Sequence, residues 1–510
     1  MPRQGNGRDN NHGNQDSSLI APTGIAGLDD ILSGGLARGR LYVVEGVPGS
    51  GKTTLAAQFL MDGAVRGEPV LYITLSETSE ELRSVAASHG WSLDGVTIRE
   101  LLPPEESLSA DEQYTMFHPS EVELATTTKL ILQDVDSLKP TRVVVDSLSE
   151  VRLVAGNSLR YRRQILALKQ FFAGRSCTVM LLDDMTAADH DLHVQSIAHG
   201  VIQLQHLSPE YGGERRRLRV IKYRGSAFRG GYHDYLIKKG GIEVFPRLVA
   251  SEHRRVTKFT KLASDIPELD ALLGGGIEEG TSTLIVGGAG TGKSTIAAQI
   301  CCAAAGRDQK AIMFIFDESP NTLHSRCAGL GVELERYARL DKVKIVQVDP
   351  AELSPGQFSH KIRQAVEEWD ASIVVIDSLN GYLNAMPEER FLTIQLHELL
   401  MYLSQQGVAT LLIGAHQGVI ASQMKTPVDA TYLADAVILL RYFESRGEVR
   451  QAISVVKKRG GAHERTIREF SMNAGRIGVG EALRSFRGVL TGVPVFDNSQ
   501  DPVLSADRRL

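Results

Sequence analysis

"GVPGSGKTTLAAQF" at residues 46–59 and "GGAGTGKSTIAAQI" at residues 287–300 are two copies of one pattern in a single chain. Each copy reads Gly, four residues, Gly-Lys and then Ser or Thr, and each continues into an apolar run that favours a helix. A glycine-rich turn between a strand and a helix directs backbone N–H groups at phosphate, and the lysine reaches the β- and γ-phosphates. The sequence therefore predicts two phosphate-binding loops, preceded by strands at 40–45 and 281–286.

The residues around both loops repeat as well. "TGIAGLDDILSGGLARGR" from residue 23 matches "SDIPELDALLGGGIEEGT" from residue 264, and both lysines keep this offset of 241 residues. "RVVVDSL" at 142–148 matches "IVVIDSL" at 373–379, and "IKYRGS" at 221–226 matches "VKKRGG" at 456–461. A period of this length indicates two whole domains. Apolar β-branched runs alternate with helical patterns, which predicts an α/β fold with a mainly parallel, helix-flanked sheet in each domain.

The expected boundaries follow from this repeat and from local composition. We predict a disordered tail at 1–18, a first domain at 19–248, a linker at 249–260, a second domain at 261–494 and a short tail at 495–510. The residues expected to bind ATP are Gly46, Val47, Pro48, Gly49, Ser50, Gly51, Lys52, Thr53 and Thr54 in the first copy, and Gly287, Gly288, Ala289, Gly290, Thr291, Gly292, Lys293, Ser294 and Thr295 in the second.

Composition narrows the class of protein. The chain has 510 residues, of which 42% are hydrophobic and 23% charged, as is typical of a globular protein. Its formal charge of −5 gives no overall basic field that would attract nucleic acid. Its four cysteines show no metal-ligand spacing, so we expect buried thiols in a reducing cytoplasm. No apolar run approaches the ~18 residues of a membrane span, and the amino terminus lacks a signal-peptide core.

Two further positions in each copy suit magnesium. The hydroxyls of Thr53 and Ser294 directly follow the lysines, where P-loops bind Mg²⁺. Asp146 and Asp377 end apolar strands, where a carboxylate holds Mg²⁺ through its water shell; the alternative is an aspartate that only caps a turn.

Acidic residues also recur 25 positions after each lysine. Glu77 and Glu318 follow the next predicted strand, at the edge where open α/β sheets bind ligands, and either could deprotonate a water or a hydroxyl. Ser76 precedes the first glutamate and Asp317 the second, so a neighbouring carboxylate could raise the pKa of the second base. The alternative is a pair of solvated acids at a helix start.

Cationic pairs follow much later in each copy. Lys222 and Arg224, like Lys457 and Arg459, are spaced so that both side chains of a strand point to one face. They lie too far along the chain to belong obviously to their own loop, and would suit the γ-phosphate of a neighbouring subunit, as an arginine finger does. The alternative is a solvated basic edge.

This ordered set, repeated from about residue 19 to 494 and ending in "EALRSFRGVLTGVP" at 481–494, resembles the KaiC family of duplicated RecA-like ATPases. The resemblance implies a hexameric double ring with ATP between subunits, and cationic strands that act in trans. It also implies ATP hydrolysis in the first ring and autophosphorylation of adjacent hydroxyl residues in the second. In "KTPVDATYLADAVILLRY" at 425–442 the acceptor pair is Thr431 and Tyr432, with Thr426 upstream, and the tyrosine departs from the family's Ser/Thr.

Partners are implied by the same resemblance. The tail after residue 494 is shorter than the peptide that clock members offer to KaiA, so KaiA-type activation is not expected. Ten extra residues in the first copy fall in the acidic, aromatic stretch 103–117, which we expect to bind a KaiB-like protein or a signalling domain, or to be a plain surface loop. Two other functions remain open: a RecA-like recombination or helicase motor that binds nucleic acid, and a non-catalytic scaffold assembled by ATP.

Overall fold

A computed structural model describes residues 19–101, 119–185, 192–209, 212–253, 260–349, 351–384, 392–415, 430–445, 447–473, 475–489 and 495–496. The chain divides into two compact units, Met1–Arg247 and Leu248–Leu510. Each unit has its own sheet and its own core on both faces of that sheet. The α/β architecture with two tandem domains is therefore confirmed.

The first unit contains eleven strands among its described residues: β1 Ile20–Ala21, β2 Leu36–Ala37, β3 Leu41–Gly46, β4 Val70–Thr74, β5 Thr97–Glu100, β6 Arg142–Asp146, β7 Thr178–Asp183, β8 Gly200–Leu207, β9 Arg215–Tyr223, β10 His233–Lys238 and β11 Gly241–Phe245. Its helices are α1 Ala26–Ile31, α2 Lys52–Val65, α3 Ser79–Ser88, α4 Pro119–Leu138, α5 Leu148–Ala155, α6 Ser158–Ala173 and α7 Leu192–Ile197.

The second unit repeats this order with strands β12 Lys261–Leu262, β13 Ile277–Glu278, β14 Ser282–Gly287, β15 Lys310–Ile315, β16 Val343–Gln347, β17 Ala371–Asp377, β18 Ala409–Ala415, β19 Ala436–Ser445, β20 Glu448–Lys458, β21 Arg468–Asn473, β22 Arg476–Ala482, β23 Phe486–Arg487 and β24 Val495–Phe496. Its helices are α8 Pro267–Leu272, α9 Lys293–Gly306, α10 Pro320–Gly329, α11 Leu334–Arg339, α12 Pro355–Glu367, α13 Leu379–Asn384 and α14 Leu392–Gln405.

Both main sheets have nine strands with equivalent topology. The first has the order β11-β10-β9-β8-β3-β7-β6-β4-β5, parallel from β8 to β5 and antiparallel from β8 to β11. The second has the order β16-β15-β17-β18-β14-β19-β20-β21-β22, with the same division. The loop-bearing strands β3 and β14 are thus central, and buried on both faces, as their continuous apolar sequences require. The parallel strands carry their carboxyl ends to one edge, where the site lies.

A buried ion network anchors β6 at the end opposite that edge. The Arg142 guanidinium is fully buried and donates to Glu68 at 2.7 Å, to Asp62 at 3.0 Å and to the carbonyl of Phe59 at 2.7 Å. Removal of one partner would leave a buried charge unpaired, which is strongly destabilising. The second unit has Ile373 at this position and fills the space with apolar packing.

The start of the expected linker belongs to the second unit. Residues Ala250–Glu252 form a short 3₁₀ helix, and Leu248 and Ala250 are buried in the core of that unit. The His253 ring stands edge-on to Tyr402, with 5.2 Å between centroids. Residues 254–259 lie outside the described part of the chain, as do the tails at 1–18 and 497–510.

Candidate functional site

Each phosphate-binding loop wraps its own lysine. Gly51 and Gly292 adopt the left-handed conformation, with φ of 92° and 91°, and start α2 and α9. The buried Lys52 donates from Nζ to the carbonyl oxygens of Gly46 at 2.9 Å and Val47 at 3.1 Å, and Lys293 Nζ donates to the carbonyl of Gly288 at 2.7 Å. The strand–loop–helix geometry that the motif predicts is present in both units.

The loops leave no room for side chains where the strands end. A Cβ on Gly46 would lie 2.6 Å from Ser50 Oγ and 2.7 Å from the carbonyl oxygen of Leu204. A Cβ on Gly287 would lie 2.6 Å from the carbonyl oxygen of Leu440. Only glycine fits, so the backbone of each loop stays close enough for its N–H groups to face a polyphosphate at the helix start. The residues present fit a nucleoside triphosphate.

The first candidate magnesium position is built from three side chains. Thr53 Oγ1 donates to Asp146 Oδ2 at 3.1 Å, and the hydroxyl of Tyr72 donates to the same oxygen at 2.6 Å. Burial raises the pKa of Asp146, while the two hydroxyls oppose that rise. A hydroxyl and a carboxylate beside the loop are ligands that suit Mg²⁺.

The second position lacks the tyrosine, because Met313 occupies its place. Asp377 Oδ2 is buried and has no hydrogen-bond partner among the described residues. Burial raises the pKa of Asp377 to about 6; Ser294 and Arg326 lower it, and Glu318 and Asp317 raise it further. An orphaned carboxylate oxygen beside the Ser294 hydroxyl fits a hard cation, which would both occupy the oxygen and stabilise its charge.

The two glutamates at the carboxyl edge have different surroundings. Glu77 follows β4, its N–H donates to Thr74 Oγ1 at 3.0 Å, and its Oε2 is buried without a partner in the described chain. Burial, then Asp146, raises the pKa of Glu77. In contrast, Arg326 of α10 donates to Glu318 Oε1 at 2.7 Å. The first unit has Val85 at the position of this arginine.

The acid that precedes the second glutamate has a partner of its own. Ser378, directly after Asp377, donates from Oγ to Asp317 Oδ2. Asp317 and Glu318 therefore use different partners, a serine and an arginine. The raised pKa of Glu77 arises in the copy that lacks the adjacent acid, so a neighbouring carboxylate in sequence is not what produces it.

The cationic pairs have hydrogen-bond partners inside their own unit. Lys222 Nζ donates to the carbonyl oxygens of Gln195 at 2.7 Å and Ser196 at 3.0 Å, and Arg224 Nη2 donates to Ser196 O at 3.0 Å. Both side chains of the pair thus turn to the same segment, as strand spacing predicts.

The equivalent segment of the second unit carries the candidate phospho-acceptors. Lys457 Nζ donates to the carbonyl of Thr431 at 2.7 Å, and Arg459 Nη2 donates to the carbonyl of Tyr432 at 2.7 Å. Arg459 also pairs with Asp435 at 3.2 Å, where the first unit has His199. Tyr432 lies in the 3₁₀ helix Ala430–Tyr432 and is 54% exposed. Thr426 and the candidate partner loop 103–117 lie outside the described residues.

One residue at the carboxyl edge escaped the sequence interpretation. Asp184 follows β7 and pairs with Lys52, with 2.8 Å between Oδ1 and Nζ. Its neighbour Asp183 pairs with Arg152 of α5 at 2.6 Å. Two acids end the apolar run "TVMLLDD", but the second copy has Gly414 and Ala415 there, so the repeat does not mark this position.

Other expectations concern the chain as a whole. All four cysteines are free and buried, as predicted. Of the helices in the described ranges, not one combines the length and the apolar character needed to cross a membrane.

Comparison with known proteins is consistent with this geometry. The sequence profile of the family described as "ATPase: KaiC" matches residues 21–249 and 262–484. The chain is 26% identical to circadian clock protein KaiC3 of Synechocystis sp., over 93% of this chain and 94% of that protein. It is also 26% identical to the circadian clock oscillator proteins KaiC of Thermostichus vulcanus (93% and 91% of the two chains) and Synechococcus elongatus (95% and 93%).

Proposed function

Since this chain belongs to the KaiC ATPase family, we propose that its first domain hydrolyses ATP and that its second domain transfers the γ-phosphoryl group of ATP to Thr431. The observation that carries this proposal is the repeated set at one sheet edge: a glycine-rich loop with its lysine, a hydroxyl, a strand-end aspartate and a glutamate. The difference between the two glutamates' partners supports a difference between the two reactions.

In the first domain Glu77 would orient a water molecule and accept its proton as the water oxygen forms a bond to the γ-phosphorus. The bond from that phosphorus to the β,γ-bridging oxygen breaks, and ADP leaves. The raised pKa of Glu77 suits a base that must take a proton near neutral pH. Lys52 and the loop N–H groups stabilise charge on the phosphates. Thr53 and Asp146 would hold Mg²⁺, which would supply further neutralisation of that charge.

In the second domain Glu318 would accept the proton of the Thr431 hydroxyl while the threonine oxygen bonds to the γ-phosphorus of an ATP held by Lys293. The bond from that phosphorus to the β,γ-bridging oxygen would break, and ADP would leave. Mg²⁺ would be held through Ser294 and Asp377. Tyr432, exposed beside Thr431, and Thr426 are further proposed acceptors. Arg326 would keep the Glu318 carboxylate in place for this step.

We propose that the cationic pairs act in trans within a homohexameric double ring that binds ATP between subunits. Apart from the Asp435 carboxylate beside Arg459, the partners described above are neutral carbonyls, for which a γ-phosphate from a neighbouring chain is the stronger acceptor. The protein would work as an ATP-dependent signalling or timing switch in the cytoplasm, where free thiols are stable. A KaiB-like protein or signalling domain would bind at 103–117.

Phosphopeptide mapping after incubation with Mg-ATP, with the mass of the assembly measured with and without nucleotide, tests this proposal. Phosphate on Thr431 and an ATP-dependent hexamer are expected. Arg224→Ala and Arg459→Ala should bind nucleotide but lose turnover, and mixing either with a Lys52→Ala or Lys293→Ala chain should restore part of it. ATP turnover without phosphate, assembly without turnover, or turnover that requires DNA would each contradict the proposal.

A further inference from the structure

Asp184 lies at the centre of the first site. Strand β7, which it follows, is paired with β3 on one side and with β6 on the other. The carboxyl ends of these three neighbours therefore present the phosphate-binding loop, Asp184 and Asp146 in that order along the edge. Asp184 is the member that contacts Lys52, at 2.8 Å, and the lysine side chain is only 6% exposed.

A serine orients this aspartate. Ser149 Oγ lies 3.3 Å from Asp184 Oδ2, and the backbone N–H of Asp184 donates to the same Oγ at 3.3 Å. The equivalent pair in the second unit is Asn380 and Ala415. Among the described residues, the asparagine side chain bonds to the alanine backbone, at 2.9 and 3.1 Å. The second unit thus keeps a polar contact between these elements but has no carboxylate at this place.

The two lysines consequently differ in how many of their protons are engaged. An ammonium has three donors. Lys52 donates two hydrogen bonds, to the carbonyls of Gly46 and Val47, and forms an ion pair with Asp184. Among the described residues Lys293 has one such bond, to the carbonyl of Gly288. A phosphate oxygen that binds Lys52 must compete with these partners, and Asp184 would also repel the incoming negative charge.

We propose that Asp184 is a positioning residue, present in the first site only, that holds Lys52 and competes with the β- and γ-phosphates for it. The first site then binds ATP more weakly than the second, and its occupancy follows the ATP concentration. This inference rests on the proposed function in one respect, that both loops bind ATP.

The test uses the full-length chain with its second site disabled by Lys293→Ala, titrated with a fluorescent N-methylanthraniloyl ATP and Mg²⁺. Asp184→Asn keeps the shape and removes the charge, and we expect the affinity of the first site to increase about tenfold, which corresponds to about 1.4 kcal/mol. Asp183→Asn is the matched control. Because the Asp183 carboxylate pairs with Arg152 and not with Lys52, its replacement should leave ATP affinity unchanged. AMP, which lacks the phosphates that reach the lysine, should gain nothing from Asp184→Asn.

A mirror variant tests the same idea in the other site. In a Lys52→Ala chain, Ala415→Asp should weaken ATP binding by the second site about tenfold, by the same reasoning. Unchanged or weaker ATP binding by Asp184→Asn, or an equal gain for AMP, overturns the inference while the proposed function stands. If the parent chain binds ATP at neither loop, the proposed function fails, and this inference with it.

Discussion

Replacement of Asp377 by asparagine should make the second domain more stable and less able to bind Mg-ATP. Asparagine has almost the same shape as aspartate but carries no charge. In the present structure Asp377 Oδ2 is buried with no hydrogen-bond partner in the described chain, so the charge is poorly solvated. The perturbation removes this unfavourable charge together with a proposed magnesium ligand.

The size of the effect follows from the pKa. Burial raises the pKa of Asp377 from its ordinary 3.8 to about 6, which corresponds to about 3 kcal/mol. The folded state binds the proton on Asp377 more tightly than the unfolded state does. Protonation therefore stabilises the folded state by this amount below about pH 4, and that contribution is lost as the pH rises through 6. Asparagine does not titrate, so Asp377→Asn should stabilise the domain by about 3 kcal/mol at pH 7.5 and by about half as much at pH 5.

Tryptophan fluorescence allows the second domain to be followed alone. The chain has two tryptophans, Trp91 in the first unit and Trp369 in the second. In a Trp91→Phe background, urea unfolding in EDTA without nucleotide reports on Trp369, whose indole N–H donates to Asp341 at 3.0 Å in the folded state. Mg-ATP should shift the unfolding midpoint of the parent upward and should shift that of Asp377→Asn much less.

The first domain offers a matched control. Asp146 accepts hydrogen bonds from Tyr72 and Thr53, so Asp146→Asn, followed through Trp91 in a Trp369→Phe chain, should give a smaller gain or a loss. A gain for Asp377→Asn that is equal at pH 5 and pH 7.5 would refute the reasoning, because a packing effect does not depend on pH. No gain at pH 7.5 would refute it as well.

Three further outcomes are expected. Arg326→Leu removes the partner of Glu318 and should slow phosphate incorporation about 10- to 100-fold, whereas Arg326→Lys should restore part of the rate; equal rates in all three would exclude a positioning role. Asp435→Asn removes the ion pair with Arg459, which is worth about 1 kcal/mol at most, and so releases the arginine for a phosphate. Turnover measured in the assembled protein should therefore rise, but by less than about fivefold. In a Glu318→Gln background, ATPase activity should fall at low pH with a midpoint at a higher pH than an ordinary glutamate would give, since burial raises the pKa of Glu77. This acid limb should be absent when Glu77→Gln is added.

The elements that carry the site could be predicted from the sequence because they are buried on both faces. Strands such as Arg142–Asp146 and Ala371–Asp377 are continuous apolar runs that end abruptly in an aspartate, so both the strand and its chemical end are visible in one segment. The loops are equally local, since the glycines, lysine and hydroxyl fall within eight residues.

Partners that arise from strand order could not be predicted in this way. Lys52 meets Asp184 because β7 is inserted between β3 and β6, although β7 follows both along the chain. Arg326 reaches Glu318 because a helix starts just after the glutamate and returns the arginine two turns later. The cationic pairs likewise reach carbonyls of their own unit because strand order brings them together. The antiparallel pairing of β9 with β8, and of β20 with β19, places each pair beside the segment that precedes β8 or β19.

Two of these unpredicted contacts, Lys52 with Asp184 and Arg326 with Glu318, change the charge around the nucleotide site without changing the scaffold. Among the described residues of the first site, the acids Glu77, Asp146 and Asp184 lie near one cation, Lys52. In the second, Asp317, Glu318 and Asp377 are balanced by both Lys293 and Arg326. A triphosphate carries negative charge, so the second site, with one more cation for the same number of acids, should hold it more tightly. Because these side chains meet at the carboxyl edge and lie outside the core, two domains with one core pattern can differ in affinity and in reaction, and two loops in one chain can serve different purposes.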